Sequence, residues 1–235
     1  MGRQPRLVVA GAPHHVYLRA NNRRLLFSSV ADRMFWLACL RRALDATECQ
    51  LHQLTLMSNH IHSIITPPDK RALSALIKRT CQRYAQIRNE LRRGSGKLFE
   101  ERFKAKVITD LAHLRATTLY NDANGFRAGI VADPLSHDWS TAPIHAGQAG
   151  GDAIRSLVTP SRWYVQLGNT PSERAAAYRR EMGAYLQLGD DALVDEEIRR
   201  REDKDAEPAT RIRRPDGTSA RESAVEYVRV VRGEE

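Results

Sequence analysis

The chain is poor in the features that mark secreted and membrane proteins. It has three cysteines in 235 residues, Cys39, Cys49 and Cys81, and they show no C-x-x-C spacing. This argues against a disulfide framework and a zinc knuckle, and it predicts reduced, buried thiols. No apolar run approaches the ~20 residues of a membrane span, and "LVVAGA" near the N-terminus is shorter than a signal-peptide core. The sequence therefore predicts a cytoplasmic protein with no membrane partner.

Acidic residues are scarce in the first 150 positions, which hold 11 Asp and Glu against 22 Lys and Arg, together with all eight histidines. The rest of the chain is nearly balanced, with 17 acidic and 15 basic residues. Such a one-sided charge predicts a polyanionic partner, and nucleic acid is the usual one. The densest basic stretch supplies the candidate DNA-binding residues: Lys78, Arg79, Arg83, Arg88, Arg92, Arg93, Lys97, Arg102, Lys104 and Lys106.

Hydrophobic periodicity predicts an alternation of strands and helices. Residues 14–20, 51–57, 60–66 and 103–109 read as strands, and residues 32–46, 71–92 and 111–124 read as helices. This order predicts an α+β fold of the ferredoxin-like or split βαβ type, an antiparallel sheet with helices on one face. We expect the other face to be available for a ligand and the strand at 60–66 to be central.

Regularity weakens after this unit. We expect a first domain at residues 1–145, followed by a helical C-terminal extension at residues 146–190 in which residues 172–188 form a helix. Residues 191–235 are rich in charge, and large apolar side chains are almost missing between 202 and 222. Such a composition predicts a flexible tail outside the core.

The stretch "LTLMSNHIHSIITPP" (54–68) places two histidines in an apolar strand. Side chains at positions i and i+2 of a strand share a face, so His60 and His62 point the same way. Imidazole is the commonest metal ligand in proteins, so the pair is a candidate metal site. Two hydrogen-bonded, inert histidines on a partly exposed face remain the alternative.

The predicted helix at 111–124 carries a polar stripe. His113, Thr117, Tyr120 and Asn124 are spaced by four, three and four residues and therefore share one side. If this stripe packs over the open sheet face, Asn124 completes a three-ligand site with the histidine pair. Such a site leaves coordination positions open for a substrate. Tyr120 would then stand beside the metal as a nucleophile, although a helical tyrosine is often a core residue.

Three segments together resemble the IS200-like HUH tyrosine transposases, and more closely the REP-associated tyrosine transposases. They are "LMSNHIHSI", "YAQIRNELRRGSGKLFEERFKAKVI" and "YNDANGFRAGIV". The family typically shows an "LMPNHVHLL"-like strand, a "YAQ" middle segment and a "Y-x-x-x-NPxRAG" helix. The resemblance covers about residues 5–145. Ser58 and Gly125 stand where the family usually has proline, and glycine at position 125 makes the placement of Asn124 less fixed.

The resemblance implies a fold, a reaction and a set of roles. The fold is that of HUH endonucleases, with His60, His62 and Asn124 binding Mg²⁺ or Mn²⁺ and Tyr120 as nucleophile. The reaction is cleavage and rejoining of single-stranded or hairpin DNA through a 5′-phosphotyrosine, at hairpin-forming repeats. A homodimer is a possible assembly. A replication initiator or relaxase with the same chemistry remains an alternative, as does a non-catalytic nucleic-acid-binding module, which needs stacking aromatics on its central strands.

Overall fold

The computed structural model describes residues 7–100 and 102–188. Four strands and seven α-helices alternate along this part of the chain: β1 (His14–Arg19), α1 (Val30–Thr47), β2 (Gln50–Leu56), β3 (His60–Thr66), α2 (Ala72–Leu91), β4 (Lys104–Val107), α3 (Leu111–Arg127), α4 (Ala142–His145), α5 (Asp152–Arg155), α6 (Arg162–Gln166) and α7 (Pro171–Leu188). The predicted elements are all present. The predicted tail at 191–235 lies outside the described residues.

The sheet has the strand order β2-β3-β1-β4, and all three pairings are antiparallel. The α+β prediction with a four-stranded antiparallel sheet is therefore confirmed. β3 is a central strand, as expected. The chain crosses over from β1 through α1 to β2, and β3 then lies between β2 and β1. Central strands are hydrogen-bonded on both sides, so side chains on β3 and β1 are held rigidly.

One face of the sheet is covered by α1 and α2. Val16 and Leu18 of β1 and Ile61 and Ile65 of β3 belong to one buried core with the apolar sides of both helices. The alternation of the strands explains this, because every second residue points to the same side. α1 begins at a capping box in which the Ser29 side chain and Asp32 satisfy each other's backbone N–H groups.

The opposite face carries α3. His15 and Tyr17 of β1, His62 and Ile64 of β3, and Gln53 of β2 alternate with the core residues and therefore point to this side. Ile64 forms a second buried cluster with α3, α6 and α7. The face that was expected to be available for a ligand is thus the face on which α3 packs, as the predicted three-ligand site requires.

The segment after α3 covers the edge of β2. The backbone N–H of Leu56 donates to Trp139 O at 2.8 Å, and Thr55 and Ser140 form an isolated antiparallel bridge. Capping an edge strand in this way removes unpaired backbone groups that would invite aggregation. α4 ends at His145, and the Tyr164 hydroxyl of α6 donates to the carbonyl of this residue. The domain boundary at residue 145 stays a prediction.

The three cysteines are free thiols in the structure. Cys39 and Cys49 are buried and Cys81 is partly buried, in agreement with the predicted reduced state. Burial raises the pKa of the Cys39 thiol to about 11, so it is not a reactive thiolate at neutral pH. Between residues 7 and 188, no helix has both the length and the apolar character needed to cross a membrane.

Candidate active site

The histidine pair of β3 lies on the α3 side of the sheet. The ring centroids of His60 and His62 are 5.1 Å apart and the ring planes are nearly perpendicular, at 84°. His62 is fully buried and His60 is partly buried. The two side chains share a face, as the strand periodicity predicted.

β1 adds two aromatic rings to this site that sequence reasoning missed. Tyr17 lies opposite His62 in the β1–β3 register, and its ring centroid is 5.0 Å from that of His62 and 5.6 Å from that of His60. The His15 ring stacks on His62 with centroids 5.6 Å apart. The alternation in "HHVYLR" placed both side chains on one face, but only the strand pairing shows that it is the face of the histidine pair.

Each histidine of the pair has a polar partner at Nδ1. The Nδ1 atom of His60 is 2.6 Å from Oδ1 of Asn59, the preceding residue. The Nδ1 atom of His62 is 3.3 Å from Nε2 of His15. Both contacts restrain ring rotation.

α3 brings the predicted nucleophile to the pair. The Tyr120 ring stands edge-on to His62, with the centroids 6.4 Å apart and the planes at 77°. One turn further along the same side of α3, Asn124 is 7% exposed, and its amide nitrogen has no hydrogen-bond partner among the described residues. The guanidinium carbon of Arg127 lies 4.7 Å above the Tyr120 ring, a contact that sequence reasoning also missed.

The ligand set of this site is limited. Within residues 7–100 and 102–188, no group of three or more His, Cys, Asp and Glu side chains could hold a metal ion. A divalent cation at His60 and His62 therefore needs a third ligand of another type, and the amide oxygen of Asn124 could supply it. Two imidazole nitrogens and one amide oxygen are a donor set that divalent transition metals such as Mn²⁺ accept.

A buried carboxylate in α3 ties this helix to the rest of the fold. Asp122 is fully buried and accepts five side-chain hydrogen bonds of 2.7–3.1 Å, from Gln53, Ser140, Thr141, His145 and Tyr178. Burial alone would raise the pKa of Asp122, but the hydrogen bond and charge of His145 and the bonds from Gln53 and Thr141 outweigh it and lower the pKa. The carboxylate is therefore ionised and clamps α3 between β2 and α7.

The departure from the family pattern at Gly125 has a packing reason. A Cβ atom at Gly125 would lie 2.8 Å from Nδ1 of His137, so a side chain at this position would displace the imidazole. The helix also continues past the predicted end at Asn124 to Arg127. A proline at 125 would remove a backbone donor from this last turn. Close approach to His137 thus accounts for glycine here.

The stability of the protein should fall in acid because of His137. Burial, and secondarily the charge of Arg33, lowers the pKa of His137 to about 4 in the native protein. An unfolded histidine has a pKa of ~6.5. Between these values the unfolded chain binds a proton that the native protein does not, so stability falls as the pH drops. The loss should reach about 3 kcal/mol near pH 4. Urea unfolding from pH 7.5 to 4.5 measures it, and His137→Gln should flatten that pH dependence. An equal slope in both proteins would contradict the prediction.

The ten candidate DNA-binding residues fall on different parts of the fold. Lys104 and Lys106 of β4 pair with Tyr17 and His15 of β1, so their side chains belong to the face of the histidine pair. Arg93, Lys97 and Arg102 lie between α2 and β4 and are exposed. Of the ten candidates, Lys104 and Lys106 are therefore the ones that the strand register places on the face of the histidine pair.

The cations of α2 lie on the other side of the sheet. Lys78, Arg79 and Arg83 are exposed on the helix whose apolar side packs in the α1–α2 core. Arg88 donates to the carbonyl of Leu25 at 2.8 Å, and Arg92 forms a 2.7 Å ion pair with Asp32. The last two therefore have structural partners, and the first three face away from the histidine pair.

Comparison with models of protein families gives a match over the first part of the chain. Residues 9–120 match the family model described as "Transposase IS200 like". The match contains all four strands, both histidines of β3 and α3 as far as Tyr120. The matched segment is just under half of the chain. Over this segment the chain is similar to IS200-like transposases, as the sequence resemblance indicated.

A solved structure supports the fold. A REP-associated tyrosine transposase bound to a REP hairpin matches with a TM-score of 0.55 at 16% identity, covering 68% of this chain and 89% of that one. A candidate transposase from Deinococcus radiodurans R1 matches with a TM-score of 0.35 at 17% identity, covering 48% of this chain and 92% of that one. No curated protein sequence matches the chain significantly.

Proposed function

We propose that this protein is a metal-dependent transposase, and that it cleaves and rejoins single-stranded DNA at hairpin-forming repeats through a covalent bond to Tyr120. The observation that carries the proposal is the approach of Tyr120 on α3 to the histidine pair on β3, with 6.4 Å between the rings of Tyr120 and His62. The candidate nucleophile and the histidine pair come from distant parts of the sequence, and both lie within residues 9–120, the segment that matches the family model.

In this proposal His60, His62 and Asn124 hold Mg²⁺ or Mn²⁺. The bound metal would polarise the scissile phosphate and stabilise the charge that develops on its oxygens. The His60 and His62 rings are restrained by their Nδ1 contacts and by the Tyr17 ring, so they would present fixed ligands. Asn124 brings an amide from a rigid helix on the opposite side of the site.

Tyr120 would carry the DNA. Its hydroxyl oxygen bonds to phosphorus while the bond between phosphorus and the 3′ oxygen breaks; the phenolic proton goes to a base and the 3′ oxygen takes up a proton. The product is a 5′-phosphotyrosine and a free 3′-OH. No water is consumed, so a 3′-OH can reverse the step and rejoin the strand. Arg127, above the Tyr120 ring, is placed to contact the phosphate under attack.

The proposed substrate is hairpin or single-stranded DNA. Support comes from the net charge of +9 and from the structurally similar transposase that holds a REP hairpin. We place the protein in the cytoplasm, associated with the nucleoid when it is bound to DNA. Tyr120 approaches the histidine pair of its own chain, so one chain suffices for the proposed site and a homodimer is not needed to assemble it.

The alternative functions fit less well. A replication initiator or relaxase would use the same residue types, and cleavage of origin DNA in preference to hairpin repeats would distinguish it. A non-catalytic binding module needs aromatic side chains that bases can stack on. Tyr17, on the histidine face of β1, is 3% exposed and packs against His60 and His62.

Replacing His60 or His62 by alanine should abolish strand cleavage and leave DNA binding largely intact, because these side chains act on the scissile phosphate rather than on the DNA backbone at large. The assay is incubation with Mn²⁺ and a hairpin oligonucleotide from the DNA flanking the gene, followed by a denaturing gel. His52→Ala is a matched control, since it removes a buried histidine of β2 that bonds Thr66 and Thr159. Near-normal cleavage by either site variant would disprove the metal-site assignment.

The two groups of cations predict different effects on binding. Reversing Lys104 and Lys106 to glutamate should weaken single-stranded DNA binding and lower the slope of log K against log salt by roughly 0.7 for each phosphate that the protein no longer neutralises. Reversing Lys78 and Arg79 on α2 is the control with the same change of charge, and it should leave most of the slope in place. A larger effect of the α2 pair would place the DNA on the helical face.

A further inference from the structure

We propose that Asn59 and His15 are positioning residues that fix the tautomers of the histidine pair, so that both rings carry their proton on Nδ1 and both present Nε2 to the metal. The inference rests on the proposed function, because it concerns the same metal site. Asn59 and His15 are neighbours of the proposed ligands and do not themselves bind the metal.

Asn59 sets the tautomer of His60. A neutral imidazole has one protonated nitrogen and one with a lone pair, and the hydrogen bond at one nitrogen decides the state of the other. Oδ1 of Asn59 is an acceptor 2.6 Å from Nδ1 of His60, so that nitrogen must donate. The lone pair is then on Nε2. Asn59 sits in the short link between β2 and β3, where its backbone carbonyl also accepts from Ala20, which holds it in place.

His15 sets the tautomer of His62. The contact joins Nε2 of His15 and Nδ1 of His62 at 3.3 Å, and both rings are buried. One of these two nitrogens donates. When Nδ1 of His62 is the donor, His62 presents the lone pair of Nε2, and His15 accepts with its own Nε2. The two histidines of β3 then have the same tautomer, although their partners come from different parts of the chain.

The energetic reason for such partners is orientation. A metal-binding histidine almost always donates its other ring N–H to a neighbouring acceptor, which fixes the ring and makes the ligand more basic. Loss of such a partner typically weakens metal binding 10–100-fold. Here the acceptors are an amide oxygen for one ligand and a second imidazole for the other. They would preorganise both ligands before the metal arrives.

The first test reads the tautomers in the metal-free protein. Long-range ¹H–¹⁵N correlation spectra of ¹⁵N-labelled full-length chain distinguish protonated from unprotonated ring nitrogens, and His60→Gln and His62→Gln identify the two rings. We expect protonated Nδ1 and unprotonated Nε2 in both. A proton on Nε2 of either ring overturns the proposal, whether or not the protein cleaves DNA.

The second test measures Mn²⁺ affinity by calorimetry. Asn59→Leu and His15→Leu should weaken binding 10–100-fold. Asn59→Asp and His15→Gln, which retain an acceptor, should stay near the wild type. His52→Leu, which removes a buried histidine of β2 outside the site, should bind Mn²⁺ normally. If the wild type binds Mn²⁺ and both leucine variants bind it equally well, only this inference fails. If the wild type binds no Mn²⁺, the proposed metal site and the inference fail together.

Discussion

Tyr120→Phe should eliminate the covalent protein–DNA species and strand cleavage while leaving the fold and DNA affinity unchanged. The substitution removes one hydroxyl and keeps the ring that packs edge-on to His62 and beneath Arg127. Without that oxygen no phosphotyrosine can form, and a loss of at least 10³-fold in cleavage rate, about 4 kcal/mol in transition-state stabilisation, is expected. Incubation with a 3′-labelled hairpin and Mn²⁺, then denaturing electrophoresis, measures the adduct, because the strand attached to Tyr120 keeps the original 3′ end.

Tyr84→Phe is the matched control. Tyr84 is also fully buried, but it lies on α2 in the opposite core, where its hydroxyl donates to the carbonyl of Leu26 at 2.7 Å. Its loss should cost about 1 kcal/mol of stability and leave cleavage in place. Peptide mass spectrometry of the wild-type adduct locates the bond. Attachment to Tyr84, or normal cleavage by Tyr120→Phe, would refute the assignment.

The fold was largely predictable because its signals are local. Alternation in residues 60–66 and helical spacing in residues 71–92 each follow from the face that the element buries. The order of strands and helices then leaves few topologies. The shared face of His60 and His62 follows from strand geometry alone, and the proximity of Tyr120 followed from the assumption that its helix packs over that face.

The neighbours of the site were not predictable because they depend on register. His15 and Tyr17 reach the histidine pair only through the pairing of β1 with β3, across more than 40 residues of sequence. The distribution of charge along the sequence likewise could not show that the basic residues lie on two different surfaces, because that also depends on how the elements pack. The basic stretch from 78 to 106 runs through α2 and β4, and these elements cover opposite faces of the sheet.

Asp122 is the clearest example of a residue whose role depends on distant parts of the chain and could not be predicted from the sequence. In "YNDANGF" it reads as a polar helical residue, and nothing nearby in sequence reveals that its donors come from β2, the segment at 140–145 and α7. A carboxylate is almost never fully buried unless it is paired. The full set of five hydrogen bonds forms only when β2, the segment at 140–145 and α7 all pack around α3, so the network joins residues 9–120 to the rest of the described chain.

Asp122→Asn should be among the most destabilising single substitutions in this chain. Asparagine replaces one carboxylate oxygen by an NH2 group and removes the negative charge. An NH2 group in place of Oδ2 would face the buried groups of His145 and Tyr178, which would then lose their acceptor together. Breaking such a buried charged network costs about 3–5 kcal/mol, which is a large part of the stability of a typical domain. Urea unfolding at pH 7 measures the loss.

Tyr178→Phe provides the graded comparison. It removes one of the five hydrogen bonds to Asp122 and leaves the His145 contact to the same oxygen in place. Its cost should be about 1–2 kcal/mol. Because both substitutions act on one network, the double variant should lose less than the sum of the two. Equal effects of the two single substitutions, or strict additivity, would show that Asp122 does not organise this network.

The pH dependence gives an independent check on the same carboxylate. Its pKa is lowered in the native protein, chiefly by His145 acting against burial, so its contribution to stability is complete above the unfolded value of ~3.9 and disappears as the pH falls through the lower native value. The destabilising effect of Asp122→Asn should therefore shrink below pH 4, where Asp122 of the unfolded wild-type chain begins to bind a proton that the native carboxylate still excludes. Since Asp122 lies two residues from Tyr120, the same variant should slow adduct formation in the fraction that remains folded. Wild-type rates per folded molecule would show that α3 is positioned by its apolar contacts alone.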